Sequence, residues 1–185
     1  MSLEELVDNS RTDKNTTHSY LPLYQQLLES KKETAKNVLE VGVQRGGSIK
    51  LWCDFFQNAT VYGLDIMSEE EVAEDLKTNP RIVVRAATDA YNPEVRDSLS
   101  HLQFDFMLDD GPHTLESMLS FITLYTPLMA DDGILIIEDV QSWNWIESLK
   151  NQVPEHLKQF ISIYDLRLNK DRYDDIVFTI DKTRI

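Results

Sequence analysis

The stretch Asn37-Val38-Leu39-Glu40-Val41-Gly42-Val43-Gln44-Arg45-Gly46-Gly47-Ser48 decides the fold of this 185-residue chain. Its first residues are largely apolar and favour a strand, and Gly42 permits a tight turn with positive φ. Gly46 and Gly47 allow a ligand to approach the backbone, and apolar residues at helical spacing follow over 48–57. A strand that leads through a glycine turn into a helix is typical of the ligand-binding edge of an α/β sheet.

The residues of this glycine turn disfavour two common classes of ligand. A dinucleotide fingerprint needs a second glycine two residues after the first, and that position is Gln44. A phosphate loop ends in Gly-Lys-Ser or Gly-Lys-Thr, and here Ser48 follows Gly47 without a lysine. NAD and nucleotide phosphates are therefore disfavoured, although a tight turn that binds no ligand would show the same pattern.

The composition excludes several classes of partner. The formal net charge of −14 repels phosphate backbones, so nucleic acids and anionic membranes are not expected as partners. No apolar run approaches the roughly 20 residues of a membrane span, and the acidic N-terminus lacks the apolar segment of a secretory signal, so a cytoplasmic protein is expected. The single cysteine, Cys53, lies on the apolar side of its helix and is predicted to be a core residue. The length predicts one domain over 1–185.

Strand and helix patterns alternate along the chain. Seven strands are predicted, near 37–41, 60–65, 81–85, 104–108, 134–137, 159–166 and 175–181. Helices are predicted from Tyr20 and over 48–57, 68–78, 93–100, 114–129 and 143–150, with an irregular segment at 1–18 and a turn at 131–133. This alternation predicts a single-domain, Rossmann-like α/β fold with a mostly parallel seven-stranded sheet, an antiparallel closing hairpin and helices on both faces. In such sheets ligands bind beyond the carboxyl ends of the strands.

Two aspartates follow the second and third strands. Asp65 ends the second strand about 20 residues beyond the glycine turn, where nucleotide-binding folds place a carboxylate on the ribose hydroxyls. A strand-ending aspartate also serves as a helix N-cap, and only the preceding glycine turn favours the ribose role. Asp89 either faces the adenine side or caps the helix that begins near Pro93, and the pattern leaves both roles open.

Carboxylates are paired at the ends of the fourth and fifth strands, as Asp109-Asp110 and Glu138-Asp139. Because like charges repel at close range, a bound Mg²⁺ or Ca²⁺, which prefers oxygen ligands, would compensate them. The alternative is helix capping, by Asp110 or Thr114 ahead of one helix and by Asp139 ahead of the next. Capping accounts for one acid per strand but not for a pair on both.

His113 follows Asp110 by three residues on the same turn. An imidazole there can take a proton from a hydroxyl whose pKa a metal ion has lowered. A lone histidine in a loop is more often simply solvated. With the neighbouring acids, however, Asp110 and His113 are the predicted catalytic pair.

Three strand-end motifs together resemble those of the metal-dependent sugar O-methyltransferases of macrolide biosynthesis, the mycinamicin type. They are Val-Tyr-Gly-Leu-Asp at 61–65, Asp-Asp-Gly-x-His at 109–113 and Ile-Glu-Asp-x-Gln at 137–141. The segment Thr12-Asp13-Lys14, with His18, Tyr20 and Tyr24 after it, is similar to the approach to the first helix in that family. Glu-x-Gly-x-x-x-Gly at 40–46 resembles the first motif of class I methyltransferases.

The resemblance implies a cofactor, a metal and a set of residues that hold them. It implies that His113 is the general base and that Mg²⁺ is held by Asp110, Glu138 and Asp139. It implies contacts to S-adenosylmethionine from Glu40, Gly42, Gly46, Ser48, Asp65, Ile66, Asp89 and Asp109. The polar segment 1–18 is then placed to cap the cofactor site.

The sequence therefore predicts a Mg-dependent O-methyltransferase that moves the methyl group of S-adenosylmethionine to a hydroxyl of a sugar or glycosylated small molecule. The acceptor and the oligomeric state are left open, and a homo-oligomer is compatible with the pattern. The alternative is a non-catalytic module that binds S-adenosylmethionine, or a subunit of a larger glycan-modifying protein. A metal-dependent hydrolase would need the metal acids without the set Glu40, Gly42 and Asp65, which is present.

Overall fold

The computed structural model describes residues 1–184. The chain divides into two compact units, Met1–Asp89 and Ala90–Ile185, and strands alternate with helices in each. The prediction of one domain over 1–185 stays a prediction. Across residues 1–184, every helix is too short or too polar to cross a membrane.

Three strands of the first unit run parallel, in the spatial order β3-β2-β1. They are β1 (Asn37–Val41), β2 (Thr60–Leu64) and β3 (Ile82–Arg85), and the helices are α1 (Leu3–Leu6), α2 (Leu21–Leu28), α3 (Gly47–Phe55) and α4 (Glu74–Lys77). Val41 pairs with Leu64, and Leu64 pairs with Arg85. Because the strands end in register, the glycine turn after β1 and Asp65 after β2 leave the sheet side by side.

Helix α3 buries the apolar side that its sequence presents. Ile49, Trp52, Cys53 and Phe56 are all excluded from solvent. The prediction that Cys53 is a core residue is confirmed, and its burial raises the pKa of the thiol.

The second unit has four strands in the order β4-β5-β7-β6. They are β4 (Phe104–Asp109), β5 (Met129–Ile137), β6 (Ile161–Asp165) and β7 (Ile176–Asp181), and the helices are α5 (Pro93–Asp97), α6 (Leu115–Tyr125), α7 (Ile146–Gln152) and α8 (Arg167–Lys170). Strands β4 and β5 are parallel, and Asp109 pairs with Ile137. The acids that follow these two residues therefore leave neighbouring strand ends.

The predicted Rossmann-like α/β fold is confirmed. All seven predicted strands are present, and β7 runs antiparallel to both of its neighbours, as expected for the closing hairpin. The link between β6 and β7 carries two ion pairs, Arg167 with Asp165 at 2.7 Å and Arg172 with Asp174 at 3.3 Å.

Two predictions are wrong, one for the N-terminal segment and one for the segment after β2. The segment 1–18 is not wholly irregular, because Ser2 and Glu5 form a capping box that starts α1. The expected helix over 68–78 is instead a single 3₁₀ turn, Glu69–Glu71, followed by the short α4. Glutamates and aspartates spaced four apart on this stretch would repel along a continuous helix.

The turn predicted at 131–133 lies within strand β5. The register of β5 against β4 shifts here, since Met129 pairs with Phe104 but Ile134 pairs with Phe106. The extra residues of β5 bulge, and Gly133 allows the close approach, because a Cβ there would lie 2.9 Å from the Phe104 carbonyl oxygen.

Candidate functional site

The glycine turn of the first unit is held by Asp65. Gly42 has φ 94°, as predicted, and its N–H donates to the Leu64 carbonyl at 2.9 Å. Asp65 Oδ2 accepts hydrogen bonds from the N–H groups of Val43 at 2.7 Å and Gln44 at 3.0 Å. Gln44 has φ 46°, a left-handed conformation that a non-glycine residue adopts at a cost, and the Asp65 carboxylate stabilises it.

Asp65 also organises the chain that follows β2. Its Oδ1 accepts a hydrogen bond from the Met67 N–H at 2.9 Å, and the side chain is half-buried. Ile66, the next residue, is 80% exposed. The ribose contact predicted for Asp65 and the cofactor contact predicted for Ile66 stay predictions.

Glu40 lies in a buried polar cluster beneath the glycine turn. Ser48 Oγ donates to Glu40 Oε1 at 2.8 Å, and Trp52 Nε1 donates to Oε2 at 2.7 Å. Lys14 Nζ lies 3.5 Å from Oε1, and both charged side chains are almost wholly excluded from solvent. Glu40 and Ser48, predicted to contact the cofactor, therefore already have partners within the chain, and the structure adds Lys14 and Trp52 to their surroundings.

The close approach that Gly46 and Gly47 permit is made by the chain itself. A Cβ on Gly47 would lie 2.5 Å from the Arg11 carbonyl carbon. Gly46 has φ 76° and precedes α3 as its N-cap residue. The backbone and side chain of Arg11 occupy the space beside these two glycines, and the cofactor contact predicted for Gly46 stays a prediction.

In the second unit, Asp109 is a buried anchor at the end of β4. The Tyr91 hydroxyl donates to Asp109 Oδ1 at 2.6 Å, and the Gly111 N–H donates to the same oxygen at 3.2 Å. Burial raises the pKa of Asp109 to about 7. The cofactor contact predicted for Asp109 stays a prediction, and its visible role is to fix the turn that carries Asp110.

The capping roles considered for the acids Asp89, Asp110 and Asp139 are wrong, whereas the one considered for Thr114 is confirmed. Helix α6 is capped by Thr114, whose hydroxyl accepts the Ser117 N–H at 3.1 Å. Asn92 caps α5, so Asp89 does not, and the adenine-side role of Asp89 stays a prediction. Ser142 caps the turn after β5, so Asp139 is not needed as a cap.

Asp110, His113 and Asp139 come together at the ends of β4 and β5. One ligand atom from each of the three lies within 4.8 Å of the others. His113 Nε2 is 3.6 Å from Asp110 Oδ1 and 3.2 Å from Asp139 Oδ2. Two carboxylate groups and one imidazole nitrogen form a donor set that suits a divalent cation.

The backbone at this cluster is strained. His113 has φ 58° and Asp139 has φ 55°, both in the left-handed region that favours glycine. Such residues concentrate at functional sites, where the surrounding structure holds them in place. His113 Nδ1 is buried and has no hydrogen-bond partner within residues 1–184, so its Nε2 is the ring nitrogen that faces the acids.

Glu138, the third predicted metal ligand, is not part of this cluster in the described chain. It is buried, and its N–H donates to the Asp109 carbonyl at 3.3 Å. Glu138 follows the last residue of β5, and Asp139 after it has a left-handed backbone. The metal role of Glu138 stays a prediction.

The backbone of Asp139 is held by Gln141, which is in turn hydrogen-bonded to Tyr173, a contact that the sequence pattern does not indicate. Gln141 Nε2 donates to the Asp139 carbonyl at 3.0 Å, and the Tyr173 hydroxyl donates to Gln141 Oε1 at 2.8 Å. Gln141 belongs to the motif after β5, but its partner lies 32 residues away in sequence. Only the fold brings the two together.

Comparisons with known proteins show which family and which characterised enzymes this chain resembles. A family model described as a methyltransferase domain matches residues 39–140. An 8-demethyl-8-alpha-L-rhamnosyl tetracenomycin-C 2'-O-methyltransferase of Streptomyces olivaceus is 27% identical over 142 residues, which is 72% of this chain and 36% of the relative. A mycinamicin VI 2''-O-methyltransferase of Micromonospora griseorubida is 28% identical over 137 residues, 69% of this chain and 33% of the relative. The chain thus spans about a third of the length of these relatives.

Solved structures show a similar fold. The MycE methyltransferase from the mycinamycin biosynthetic pathway, in complex with Mg and SAH, superposes with a TM-score of 0.74 at 24% identity and covers 98% of this chain and 55% of its own. This structure supports the fold, and the curated relatives confirm the resemblance drawn from the strand-end motifs.

Proposed function

Because the chain belongs to the methyltransferase-domain family, we propose that it is an S-adenosylmethionine-dependent O-methyltransferase that uses a divalent cation, Mg²⁺ in the first instance. The observation that carries this proposal is the cluster of Asp110, His113 and Asp139. The family model covers both this cluster and the glycine turn, so one family accounts for a donor-binding turn and a metal-binding set of side chains.

Each group would be held by residues of its own unit. The glycine turn with Asp65 would hold the methyl donor, and Asp110 and Asp139 would hold the cation. When bound, S-adenosylmethionine supplies the methyl group, and the cation lowers the pKa of a hydroxyl that it contacts. The chain supplies fixed geometry, through the left-handed backbone at Gln44 and Asp139 and the hydrogen bonds that hold it.

His113 would act as the general base. Its Nε2 lies beside carboxylate oxygens of both Asp110 and Asp139, so a hydroxyl placed against these acids is also beside the imidazole. After it takes the proton, the imidazolium would form an ion pair with Asp139. The competing assignment is that His113 Nε2 is a third ligand of the cation, since neutral imidazole also binds metals.

The acceptor would be a neutral glycosylated small molecule. The relatives are named for methylation of sugar hydroxyls on such compounds. The net charge of −14 agrees with a neutral acceptor, because a surface of this charge repels anionic ones.

Methyl transfer from tritiated S-adenosylmethionine to a panel of neutral methyl glycosides, deoxyhexosides among them, tests the proposal. We expect product with Mg²⁺ and none with excess chelator. Calorimetric titration with S-adenosylhomocysteine provides the second arm. Cofactor binding without metal-dependent transfer to any acceptor would favour the non-catalytic module, and absence of cofactor binding would refute both.

The variant His113→Asn separates the two roles of the imidazole. If His113 is the base, the variant should bind Mn²⁺ with an affinity close to that of the parent and lose methyl transfer by about 10²-fold or more. Asp110→Asn should instead lose Mn²⁺ binding together with transfer. A His113→Asn variant that no longer binds Mn²⁺ would assign the imidazole to the metal.

A further inference from the structure

The segment 8–14, here called the N-terminal strap, lies directly on the glycine turn. A Cβ on Gly47 would lie 2.5 Å from the Arg11 carbonyl carbon and 2.6 Å from its oxygen, so only glycine fits beneath the strap. A Cβ on Gly46 would lie 3.2 Å from Arg11 Nη2. The absence of side chains at Gly46 and Gly47 therefore leaves the space that the strap occupies.

The Arg11 guanidinium joins three segments of the first unit. Its Nε and Nη2 donate to the Arg45 carbonyl at 3.0 and 2.8 Å. Its Nη1 and Nη2 donate to the two carboxylate oxygens of Asp75 on α4, at 2.7 and 3.1 Å. This use of the planar fork is specific to arginine, because lysine cannot hold a carbonyl and a bidentate carboxylate together.

The strap is also attached on either side of Arg11. Arg45 Nη1 donates back to the Ser10 carbonyl at 3.4 Å, and Lys14 forms its buried ion pair with Glu40 at the end of β1. The turn after β1 is thus held both by the strap and by Asp65.

We propose that Arg11 is a positioning residue for the methyl donor, an inference that rests on the proposed function. Arg11 fixes the Arg45 carbonyl, and with it the left-handed Gly46 that starts α3, in the conformation that receives the cofactor. A turn that is already ordered loses less conformational freedom on binding, so the affinity for the cofactor depends on the strap.

Calorimetric titration with S-adenosylhomocysteine tests this inference on the parent chain and on Arg11→Ala, Arg11→Lys and Lys50→Ala. Lys50 lies on α3, and its amino group forms an ion pair with Asp54 on the same helix, so its variant is the matched loss of one surface cation. We expect the dissociation constant to rise about tenfold or more in Arg11→Ala, to rise less in Arg11→Lys and to stay unchanged in Lys50→Ala. Mn²⁺ binding should be unchanged in all of them.

Hydrogen exchange distinguishes a positioning role of Arg11 from a role in stability alone. Coupling between two sites is reciprocal, so S-adenosylhomocysteine should slow amide exchange over residues 8–14 of the parent. Unchanged exchange there would overturn the inference even if Arg11→Ala does not fold. Equal affinities of parent and folded Arg11→Ala would overturn it as well, with the proposed function intact, whereas failure of the parent to bind would overturn the proposed function and this inference together.

Discussion

At the scale of single residues, Gly111 and Tyr91 show how tightly the turn after β4 is built. The Tyr91 hydroxyl fills the space where a Gly111 side chain would begin, and from there it donates to Asp109. Burial and the Asp109 carboxylate both raise the pKa of Tyr91, so its hydroxyl keeps the proton that it donates. The position of Asp110 therefore depends on a phenol that enters from the loop before α5.

We expect Gly111→Ala to lower the free energy of unfolding by about 1–3 kcal/mol, because the new methyl group overlaps the Tyr91 hydroxyl. Urea unfolding measures the loss. Removing that hydroxyl relieves the closest overlap, since the remaining neighbours, Asp109 Oδ1 and the Tyr91 ring, lie 3.1 and 3.2 Å from the position of the new Cβ. Gly111→Ala should accordingly cost much less in a Tyr91→Phe background, and an equal cost in both backgrounds would show that the overlap is not the cause.

Glu40 shows which part of the site a sequence can and cannot predict. Its place at the end of β1 could be predicted from the apolar strand and the glycine that follows. Its partners could not, because Lys14 lies on a segment without strand or helix periodicity and Trp52 is part of an apolar helix face. Local pattern fixes where a strand ends, whereas the pairing of buried charges depends on contacts distant in sequence.

At the scale of elements, the N-terminal strap and α4 are joined by one ion pair whose strength depends on pH. The hydrogen bonds from Arg11 lower the pKa of Asp75 below its ordinary value of 3.8. A carboxyl with a lowered folded-state pKa contributes stability above its unfolded pKa, and this contribution is lost as the pH falls through the folded value.

We expect Asp75→Asn to lower the free energy of unfolding at pH 7 by less than about 1 kcal/mol, because Asp75 is about half exposed and solvent screens the pair. The difference between parent and variant should persist down to the ordinary pKa and vanish well below it. Urea unfolding of both proteins at neutral and strongly acidic pH measures it. A difference that grows towards acid pH would contradict the assignment.

The elements themselves could be predicted to different degrees. Strands with apolar runs, such as β2 and β4, lie within a residue of their expected bounds. The prediction of a continuous helix over 68–78 is wrong. The apolar spacing there suits a helix, but the acids would repel one another along one face of it. The bulge in β5 was predicted as a turn, since Asp-Asp-Gly favours both.

At the scale of the whole molecule, the acid cluster adds to a net charge of −14. A cation bound by Asp110 and Asp139, as proposed, would stabilise only the folded state, because the unfolded chain does not bring these acids together. The site could be predicted in part, because the parallel strand order brings strand ends to one edge. The pattern could not predict that, among the described residues, Asp139 joins the cluster without Glu138, since Asp139 has a left-handed backbone that the sequence does not indicate.

We expect saturating Mg²⁺ or Mn²⁺ to stabilise the parent by about 1–3 kcal/mol, seen as a rise in Tm in differential scanning fluorimetry. Asp139→Asn should lose the effect. Glu94→Gln, which removes one negative charge from α5, should keep it, and NaCl at matched ionic strength should not reproduce it. An equal rise in both variants would assign the stabilisation to general charge screening.

The chemical labelling of Cys53 can report the rate at which helix α3 opens. It is the single thiol of the chain, it is buried in the helix that the glycine turn starts, and its raised pKa keeps it in the unreactive form. Labelling by a thiol reagent must therefore wait for α3 to open, and its rate at high reagent concentration reports the rate of that opening without any engineered label. A ligand that holds the glycine turn would be detected in the same experiment, as a delay in the labelling of a side chain that it does not touch.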